Sequence, residues 1–216
     1  MTVKGQVVFG LIVDPGASRG LIGSETLRLI VEHILAPRGL NKDIRHNKSD
    51  AKFTGISSSH EHSLGMVSFP IGLIGITRAT YTADVIGGES STCPGLIPLR
   101  ALIHLGCVLI CDYYPNQDGI LAIKLPKDRR KSYGTSYCFQ RLMYTDSGHY
   151  MLPIDNFDQH SVQYPYELEK IADMRMSQLS QIPTSRPKGV VEAALHSSVV
   201  IEEFLEEDNS IPKIFQ

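Results

Sequence analysis

Most hydrophobic positions in this chain fall in short runs rich in β-branched and aromatic residues, which is the pattern of β-strands. Between these runs lie Gly, Pro, Asn, Asp and Ser, the residues that favour turns. The first run is broken near Gly5 or Gly10, so it predicts either an interrupted strand or a hairpin. The predicted strands are Val3–Val13, Lys52–Ile56, Leu64–Ile71, Thr77–Ile86, Val108–Cys111, Ile120–Leu125, Tyr137–Tyr144 and Tyr150–Ile154. The run 52–56 and the run 64–71 are joined by a polar tip and predict a β-hairpin with each other.

Helical periodicity is strongest after the first strand. Apolar residues recur there at the i, i+3, i+4, i+7 and i+8 spacing, Ser24 can cap the N-terminus, and Pro37 marks the end. The apolar positions are Leu27, Ile30, Val31, Ile34 and Leu35. A brief helix is also predicted between the apolar run 96–98 and Gly106, since glycine favours a helix C-terminus.

Composition and hydrophobic pattern together predict a mainly β chain with three successive regions. Of the 216 residues, 42% are hydrophobic and 20% are charged, which suits one well-buried domain with an extension. We expect a domain over residues 1–125, a strand-containing extension over 126–164, and a helical, partly flexible tail over 165–216. The tail contains two candidate helices, Tyr166–Leu179 and Val190–Leu205.

The charge and hydropathy of the chain limit the kinds of partner that it is expected to bind. The net charge is −2 and the basic residues are scattered apart from one short run, so we expect no binding to nucleic acid. The apolar runs are interrupted well before about 18 residues, and no signal-peptide pattern follows Met1. The sequence therefore predicts a soluble, intracellular protein, cytoplasmic by default, that has no contact with a membrane.

The cysteines and histidines predict no cofactor and no metal. Without secretory signals, the four cysteines are expected to be reduced core residues. On a strand, Cys107 and Cys111 would lie about 13 Å apart on one face, too far for a disulfide. His60 and His62 alternate with polar residues, and we interpret them as an exposed hairpin tip, since two histidines alone make a weak metal site.

A carboxylate stands where the first strand ends. The apolar run that leads into Asp14 predicts a buried strand, and an ionised carboxylate there is costly unless it is paired or hydrogen-bonded. Such placement is typical of a group with a chemical role. Gly16 lacks a Cβ, so its backbone N–H can approach the carboxylate closely.

This loop and the order of elements around it resemble one lobe of the retropepsin-like aspartic proteases of retrotransposon polyproteins, over about residues 3–125. The resemblance rests on a strand entering Asp14-Pro15-Gly16-Ala17, a hairpin with a polar tip, a further strand, and an apolar turn into a short helix. The segment Ser147–Asp155 also resembles the stretch that follows the protease in related polyproteins. The predicted helix after the loop is longer than in simple viral members.

The resemblance implies a mainly β, acid-protease barrel with an inserted helix after the Asp-x-Gly loop and a helical C-terminal extension. It implies Asp14 as the catalytic residue, with Pro15, Gly16 and Ala17 as the active-site loop. Support beneath that loop would come from Leu96, Ile97 and Pro98. The flap that binds substrate would comprise Gly55, Ile56, Ser57, Ser58, Ser59, Leu64 and Gly65.

The activity that the resemblance implies is endopeptidase cleavage of polypeptide, such as the polyprotein itself, by water held between two carboxylates. One lobe supplies one Asp, so the chain would form a homodimer about a two-fold axis. The triplet Asp146-Ser147-Gly148 offers the alternative of a second carboxylate within the same chain. No second hairpin and apolar turn follow it, which favours a plain turn between strands.

Pro15 is the main departure from the family motif, which has Thr or Ser at this position. In the family, the hydroxyl and the backbone N–H of that residue brace the paired loops across the two-fold axis, and proline offers neither. Two functions therefore stay open from the sequence. One is an active protease with a weakened dimer, and the other is a catalytically inactive domain that serves in dimerisation or peptide binding.

Overall fold

The computed structural model describes residues 2–53, 61–88, 90–125, 127, 136–158, 168–174 and 199–201. Within these residues the fold is mainly β, with one large mixed sheet and a few short helices. The strands of the first half are β1 Thr2–Val3, β2 Gln6–Val7, β3 Gly10–Asp14, β4 Leu21–Gly23, β5 Arg45–Asn47, β6 Lys52–Phe53, β7 Glu61–His62, β8 Gly65–Leu73 and β9 Ile76–Ile86. Those that follow are β10 Gly95–Pro98, β11 Val108–Ile110, β12 Gly119–Lys124, β13 Tyr137–Tyr144, β14 Tyr150–Pro153 and β15 Val199–Ile201.

The large sheet has eleven described strands, of which ten follow the order β11-β12-β13-β14-β3-β10-β4-β9-β8-β5 and β15 pairs with β9 beside this path. Two pairs are parallel, β3 with β10 and β4 with β9, and the other pairs along this order are antiparallel. Strand β10 therefore lies between β3 and β4, which are consecutive in sequence and joined by the loop that follows Asp14. The sheet places that loop at the end of its central strands.

The first predicted run is a hairpin followed by a separate strand. Thr2 and Val3 pair with Val7 and Gln6, and the turn between them has Lys4 and Gly5 at positive φ, as two-residue hairpin turns require. The sequence predicted a break near Gly5 or Gly10, and the chain breaks at both, because the hairpin turns at Gly5 and β3 begins at Gly10. A Cβ at Gly10 would lie 2.5 Å from the Met151 side chain, so β3 and β14 can approach closely only with glycine there.

The predicted helix is confirmed, but its ends differ from the expectation. Helix α1 spans Ser24–Ile30, and the chain continues as a π-helical turn, Val31–Leu35, and a 3-10 turn, Ala36–Arg38. Pro37 is accommodated in that last turn, where a missing N–H is tolerated. Ser24 does not cap the helix. Gly23 is the N-cap residue, and the Ser24 hydroxyl accepts a hydrogen bond from the Ser91 N–H instead.

The hairpin predicted from residues 52–71 is paired differently. Lys52 and Phe53 pair with His62 and Glu61 in a separate two-stranded sheet. The long strand β8 pairs with β9 on one side and with β5 on the other. The expectation that 52–56 pairs with 64–71 was therefore wrong, because the apolar residues of β8 find their partners in the main sheet.

Strands β11 to β14 follow one another in the sheet, and β13 and β14 carry it beyond residue 125. They form antiparallel neighbours, and β14 then pairs with β3, with Tyr150 opposite Val13. Residues 168–174 are helical, as predicted, and their buried Leu168 and Ala172 pack against the face of β12 and β13. Where the sequence predicted a helix over 190–205, residues 199–201 instead form β15 on β9. Their β-branched side chains favour this extended state.

Buried apolar side chains from both halves of the sheet form the main core. It includes Leu11 and Val13 of β3, Ile22 of β4, and Ile97 of β10. Fully buried Tyr81 links two of these strands, because its hydroxyl lies 3.0 Å from the carbonyl oxygens of both Leu21 and Leu96. Burial raises the pKa of this phenol. The described helices include none that is long and apolar enough to cross a membrane.

Candidate active site at the end of strand β3

Asp14 is the last residue of β3 and is held by the loop that follows it. Its Oδ1 accepts hydrogen bonds from the Gly16 N–H at 2.9 Å and the Ala17 N–H at 3.2 Å. The Ala17 N–H also lies 3.1 Å from the Asp14 carbonyl oxygen, which closes a tight turn. Leu11, Ile12 and Val13 are buried, whereas Asp14 is half-buried and Pro15 is exposed. The carboxylate thus emerges from an apolar strand with one oxygen fixed by backbone donors.

The space around Asp14 Oδ1 is narrow on the side of Gly16. A Cβ built on Gly16 would lie 3.2 Å from that oxygen, closer than most such contacts. Gly16 does not have a positive φ. Glycine is therefore needed here for the close approach to Asp14 Oδ1 and not for a left-handed turn. The sequence analysis expected this approach from the missing Cβ.

Strand β10 lies directly beside the Asp14 loop. Pro98 is opposite Asp14 in the parallel register, and Ile97 is opposite Val13. Ile97 and Pro98 are buried and Leu96 is half-buried. Helix α2, Leu99–His104, begins immediately after Pro98, as the sequence predicted. The three residues expected to support the loop therefore lie on the strand adjacent to it.

The triplet at 146–148 forms the turn between β13 and β14. The Gly148 N–H donates to the Thr145 carbonyl oxygen at 2.9 Å, and Gly148 has a positive φ. Buried Thr145 accepts a bond from the His149 N–H through Oγ1, while Asp146 is exposed. The interpretation of Asp146 as a turn residue is confirmed.

The predicted flap is described only at its ends. Gly55, Ile56, Ser57, Ser58 and Ser59 lie outside the described residues. Leu64 is 60% exposed, and its N–H donates to the Val85 carbonyl oxygen at 2.8 Å. Gly65 begins β8 with a φ of 138°, which glycine adopts without strain. Gly65 therefore lies at the start of the long strand β8, directly after the hairpin β6–β7.

Asp84 is a buried carboxylate that the sequence analysis did not single out. It lies on β9 and is 2% exposed. Its Oδ1 accepts hydrogen bonds from the hydroxyls of Ser49 and Ser63, the latter at 2.9 Å. The Arg19 guanidinium lies 3.5 Å from its Oδ2. The sequence offered one signal for this site, an acidic residue within the predicted strand 77–86. It offered none for the partners, which are distant in sequence.

A second buried carboxylate, Asp118, is also saturated with donors. It receives bonds from Lys4 Nζ at 2.7 Å, Arg141 at 2.8 Å, the Tyr144 N–H at 2.9 Å and Asn116 at 2.9 Å. Desolvation opposes ionisation, but these four donors outweigh it and lower the pKa of Asp118 to about 2. The Asp118 carboxylate, through Lys4, joins the turn of the first hairpin to the turn between β11 and β12.

Three of the thiols, those of Cys93, Cys107 and Cys138, favour the protonated form and are poor nucleophiles. Burial raises the pKa of Cys107 to about 12 and that of Cys138 to about 11, and it also raises that of Cys93. None of the four cysteines is in a disulfide, as expected. Cys111 is exposed, however, so the prediction of a core residue was wrong there. It follows the last residue of β11 and lies outside the paired strand.

One apolar cavity of about 280 Å³ opens near the start of β3, at the end of the strand opposite Asp14. It is lined by residues of the segment that leads into β3, of helix α1 and of the segment before β10: Val8, Phe9, Gly10, Thr26, Leu29, Ile30, Thr92 and Pro94. Among the described residues, no three His, Cys, Asp or Glu side chains are grouped to hold a metal ion.

Comparison with known proteins gives no relative for this chain: no family model, no curated protein and no solved structure matches it.

Proposed function

We propose that this protein is an aspartic-type endopeptidase that acts as a homodimer, with Asp14 as its catalytic residue. The observation that carries the proposal is the geometry of Asp14. Its carboxylate lies at the end of a buried strand, and the Gly16 and Ala17 N–H groups hold one oxygen. These two backbone donors fix the orientation of the carboxylate at the end of the strand.

The strand order supports a retropepsin-like acid-protease barrel. In the described sheet β10 lies between β3 and β4, and the loop that joins β3 to β4 carries Asp14. Helix α2 follows β10 directly. The sequence resemblance implies this combination of an apolar strand beside the catalytic loop and a short helix after it. The described residues of the proposed flap are Leu64 and Gly65, and the hairpin β6–β7 lies directly before them.

The proposed reaction uses Asp14 of each subunit. Two carboxylates at close range share one proton, because both cannot ionise comfortably. The ionised carboxylate removes a proton from water as the water oxygen attacks the peptide carbonyl carbon, and the protonated partner donates its proton to the carbonyl oxygen. The carboxyl group that took the proton from water then gives it to the amide nitrogen, the ionised partner takes a proton back from a hydroxyl of the tetrahedral intermediate, and the C–N bond breaks to release an acid and an amine.

Pro15 favours a second candidate, a catalytically inactive domain that dimerises or binds peptides. It is exposed beside Asp14 and has neither an N–H nor a hydroxyl to donate across a two-fold axis. In that case the two carboxylates would not be held together, although the sheet would persist. We favour the enzyme because Gly16 and Ala17 orient Asp14 within a single chain.

The experiment that tests the proposal measures cleavage of an unstructured polypeptide at acidic pH by the full chain. We expect wild-type cleavage to be blocked by a statine-type transition-state mimic and abolished in Asp14→Asn, which is nearly isosteric but cannot exchange the proton. Asp146→Asn is the matched control, since it changes an exposed turn carboxylate. It should retain wild-type activity. Cleavage that persists in Asp14→Asn would exclude the assignment, and absence of cleavage in the wild type would leave the inactive domain.

A further inference from the structure

Buried Asp84 joins three segments that are separate in sequence. Arg19 belongs to the loop that begins at Asp14, Ser49 follows β5, and Ser63 lies between β7 and β8. The carboxylate side chain is 3% exposed, whereas Arg19 is 45% exposed. A buried carboxylate is costly without partners, so each of these donors contributes to keeping Asp84 in its place.

The two serines extend the contact to the base of the hairpin β6–β7. The Ser49 Oγ also accepts a bond from the Ala51 N–H at 3.4 Å, and the Ser63 N–H donates to the Ala51 carbonyl oxygen at 2.9 Å. The Gly65 N–H donates to the Ser63 Oγ at 3.1 Å. Both strands that lead into and out of the hairpin are therefore tied to a single carboxylate.

Backbone contacts connect the same carboxylate to the active-site loop. The Asp84 N–H donates to the Gly20 carbonyl oxygen at 3.1 Å, and Arg19 precedes that residue. Gly20 ends the loop that Asp14 begins, and β4 follows at Leu21, which pairs with Asp84. The loop is thus fixed at its start by bonds to Asp14 and at its end by Asp84.

We propose that Asp84 is a positioning residue that couples the base of the hairpin β6–β7 to the loop that carries Asp14. It acts on the two segments through different oxygens, Oδ1 toward the serines and Oδ2 toward Arg19. A loss of contact on one side leaves the carboxylate free to shift, so the other side loosens as well. Its role in catalysis rests on the proposed function, in which Asp14 is the catalytic residue.

The test is NMR-detected hydrogen exchange in the full chain without substrate. Reporters for the loop are the amides of Gly16 and Ala17, and reporters for the hairpin base are those of Ser63 and Leu64. The double variant Ser49→Ala/Ser63→Ala should accelerate exchange at the loop reporters about tenfold, although neither serine bonds to them. Arg19→Met should accelerate exchange at the hairpin reporters by a similar factor.

Matched controls separate coupling from general loss of stability. Lys4→Met removes a partly exposed cation from buried Asp118, as Arg19→Met does from Asp84. Ser68→Ala removes a hydroxyl that lies 2.8 Å from Thr82 Oγ1 on the same pair of strands as Asp84. Neither control should change exchange at both sets of reporters. Coupling is excluded if each Asp84-linked variant affects only its own side, or if the controls give the same pattern.

Activity gives a second readout that distinguishes this inference from the proposed function. In an active enzyme, Ser49→Ala/Ser63→Ala should raise KM for a peptide about tenfold with less change in kcat, because it loosens the hairpin rather than the reacting carboxylate. Lys4→Met should leave KM unchanged. If the wild-type chain cleaves no peptide but its variants show the exchange pattern, the coupling is supported and the proposed protease activity is excluded. If the wild-type chain cleaves peptide and its variants do not show the exchange pattern, only the coupling is excluded.

Discussion

At the level of single residues, the loop after β3 holds the Asp14 carboxylate through backbone donors and a close glycine. The sequence could predict the strand end and the need for Gly16, because both follow from local pattern and steric size. It could not predict the partners of Asp84. Ser49 and Ser63 lie 35 and 21 residues from it in sequence, and no local rule relates a hydroxyl to a carboxylate over that separation.

Gly16→Ala should impair catalysis without unfolding the protein. The added Cβ would lie 3.2 Å from Asp14 Oδ1 and would displace the carboxylate by a few tenths of an ångström. Small displacements of a reacting group reduce the rate strongly, so we expect kcat to fall about tenfold or more. Steady-state kinetics and thermal unfolding provide the measurement. Ser18→Ala in the same exposed loop is the control, and an unchanged kcat in Gly16→Ala would contradict the geometry.

Pro15→Thr should tighten the dimer. Threonine restores one N–H and one hydroxyl per chain, and each hydrogen bond that forms across the axis contributes about 0.5–1.5 kcal/mol. A reciprocal set should lower the dimer dissociation constant about tenfold, as sedimentation would measure. Loss of proline also relaxes the unfolded chain, at ~0.4–1 kcal/mol per subunit. Lower stability with unchanged association would show that these loops do not meet at a two-fold axis.

At the level of elements, most strands could be predicted because their alternating β-branched and aromatic residues act locally. The predicted runs at 137–144 and 150–154 correspond closely to β13 and β14. Pairing was harder. Apolar content does not say which strand lies beside which, so the run at 64–71 was paired with 52–56 rather than with β9. Short apolar runs such as 199–201 are also ambiguous between helix and strand.

The link between the first hairpin and the β11–β12 turn should weaken in acid. The pKa of Asp118 is about 2 in the folded protein and about 4 in an unfolded chain, so the unfolded state binds a proton first as the pH falls. Stability from this group is complete above about pH 4 and is lost toward pH 2. Wild-type denaturant unfolding followed across this range should therefore show a falling free energy of unfolding.

Lys4→Met isolates the contribution of one donor to Asp118. Because Lys4 is partly exposed, solvent screening limits the expected loss to about 0.5–1 kcal/mol at neutral pH. The difference from wild type should shrink as the pH falls through about 2, because Asp118 becomes protonated in the folded wild-type protein there. Lys42→Met changes an exposed lysine in the turn after the first helix and serves as the control. A loss that stays constant from pH 7 to pH 2 would contradict the assigned ion pair.

Strands β13 and β14 should be required for folding of the segment that carries Asp14. Strand β14 pairs with β3, and Leu142, Met151 and Leu152 are at most 2% exposed. A chain that ends at residue 125 loses these contacts and leaves one edge of β3 unpaired. We expect it to lose cooperative thermal unfolding, whereas a chain that ends at residue 180 should keep it. A cooperative transition in the shorter chain would show that residues 2–125 fold alone.

At the level of the whole molecule, the account requires two copies of Asp14 in one active site. The described sheet supplies one such carboxylate at the end of β3, and the other carboxylates that it buries, Asp84 and Asp118, are occupied by hydroxyl and cationic donors. Association should therefore control activity. Cleavage per chain is expected to fall on dilution below the dimer dissociation constant, since an isologous contact completes the site.

The most direct measurement mixes wild-type chains with Asp14→Asn chains at a fixed total concentration above the dimer dissociation constant. If each site uses Asp14 from both subunits, random exchange of subunits leaves activity proportional to the square of the wild-type fraction, about a quarter at equal amounts. We predict this quadratic dependence once the chains have equilibrated. A linear dependence, with about half the activity at equal amounts, would contradict the claim that two Asp14 carboxylates form one site.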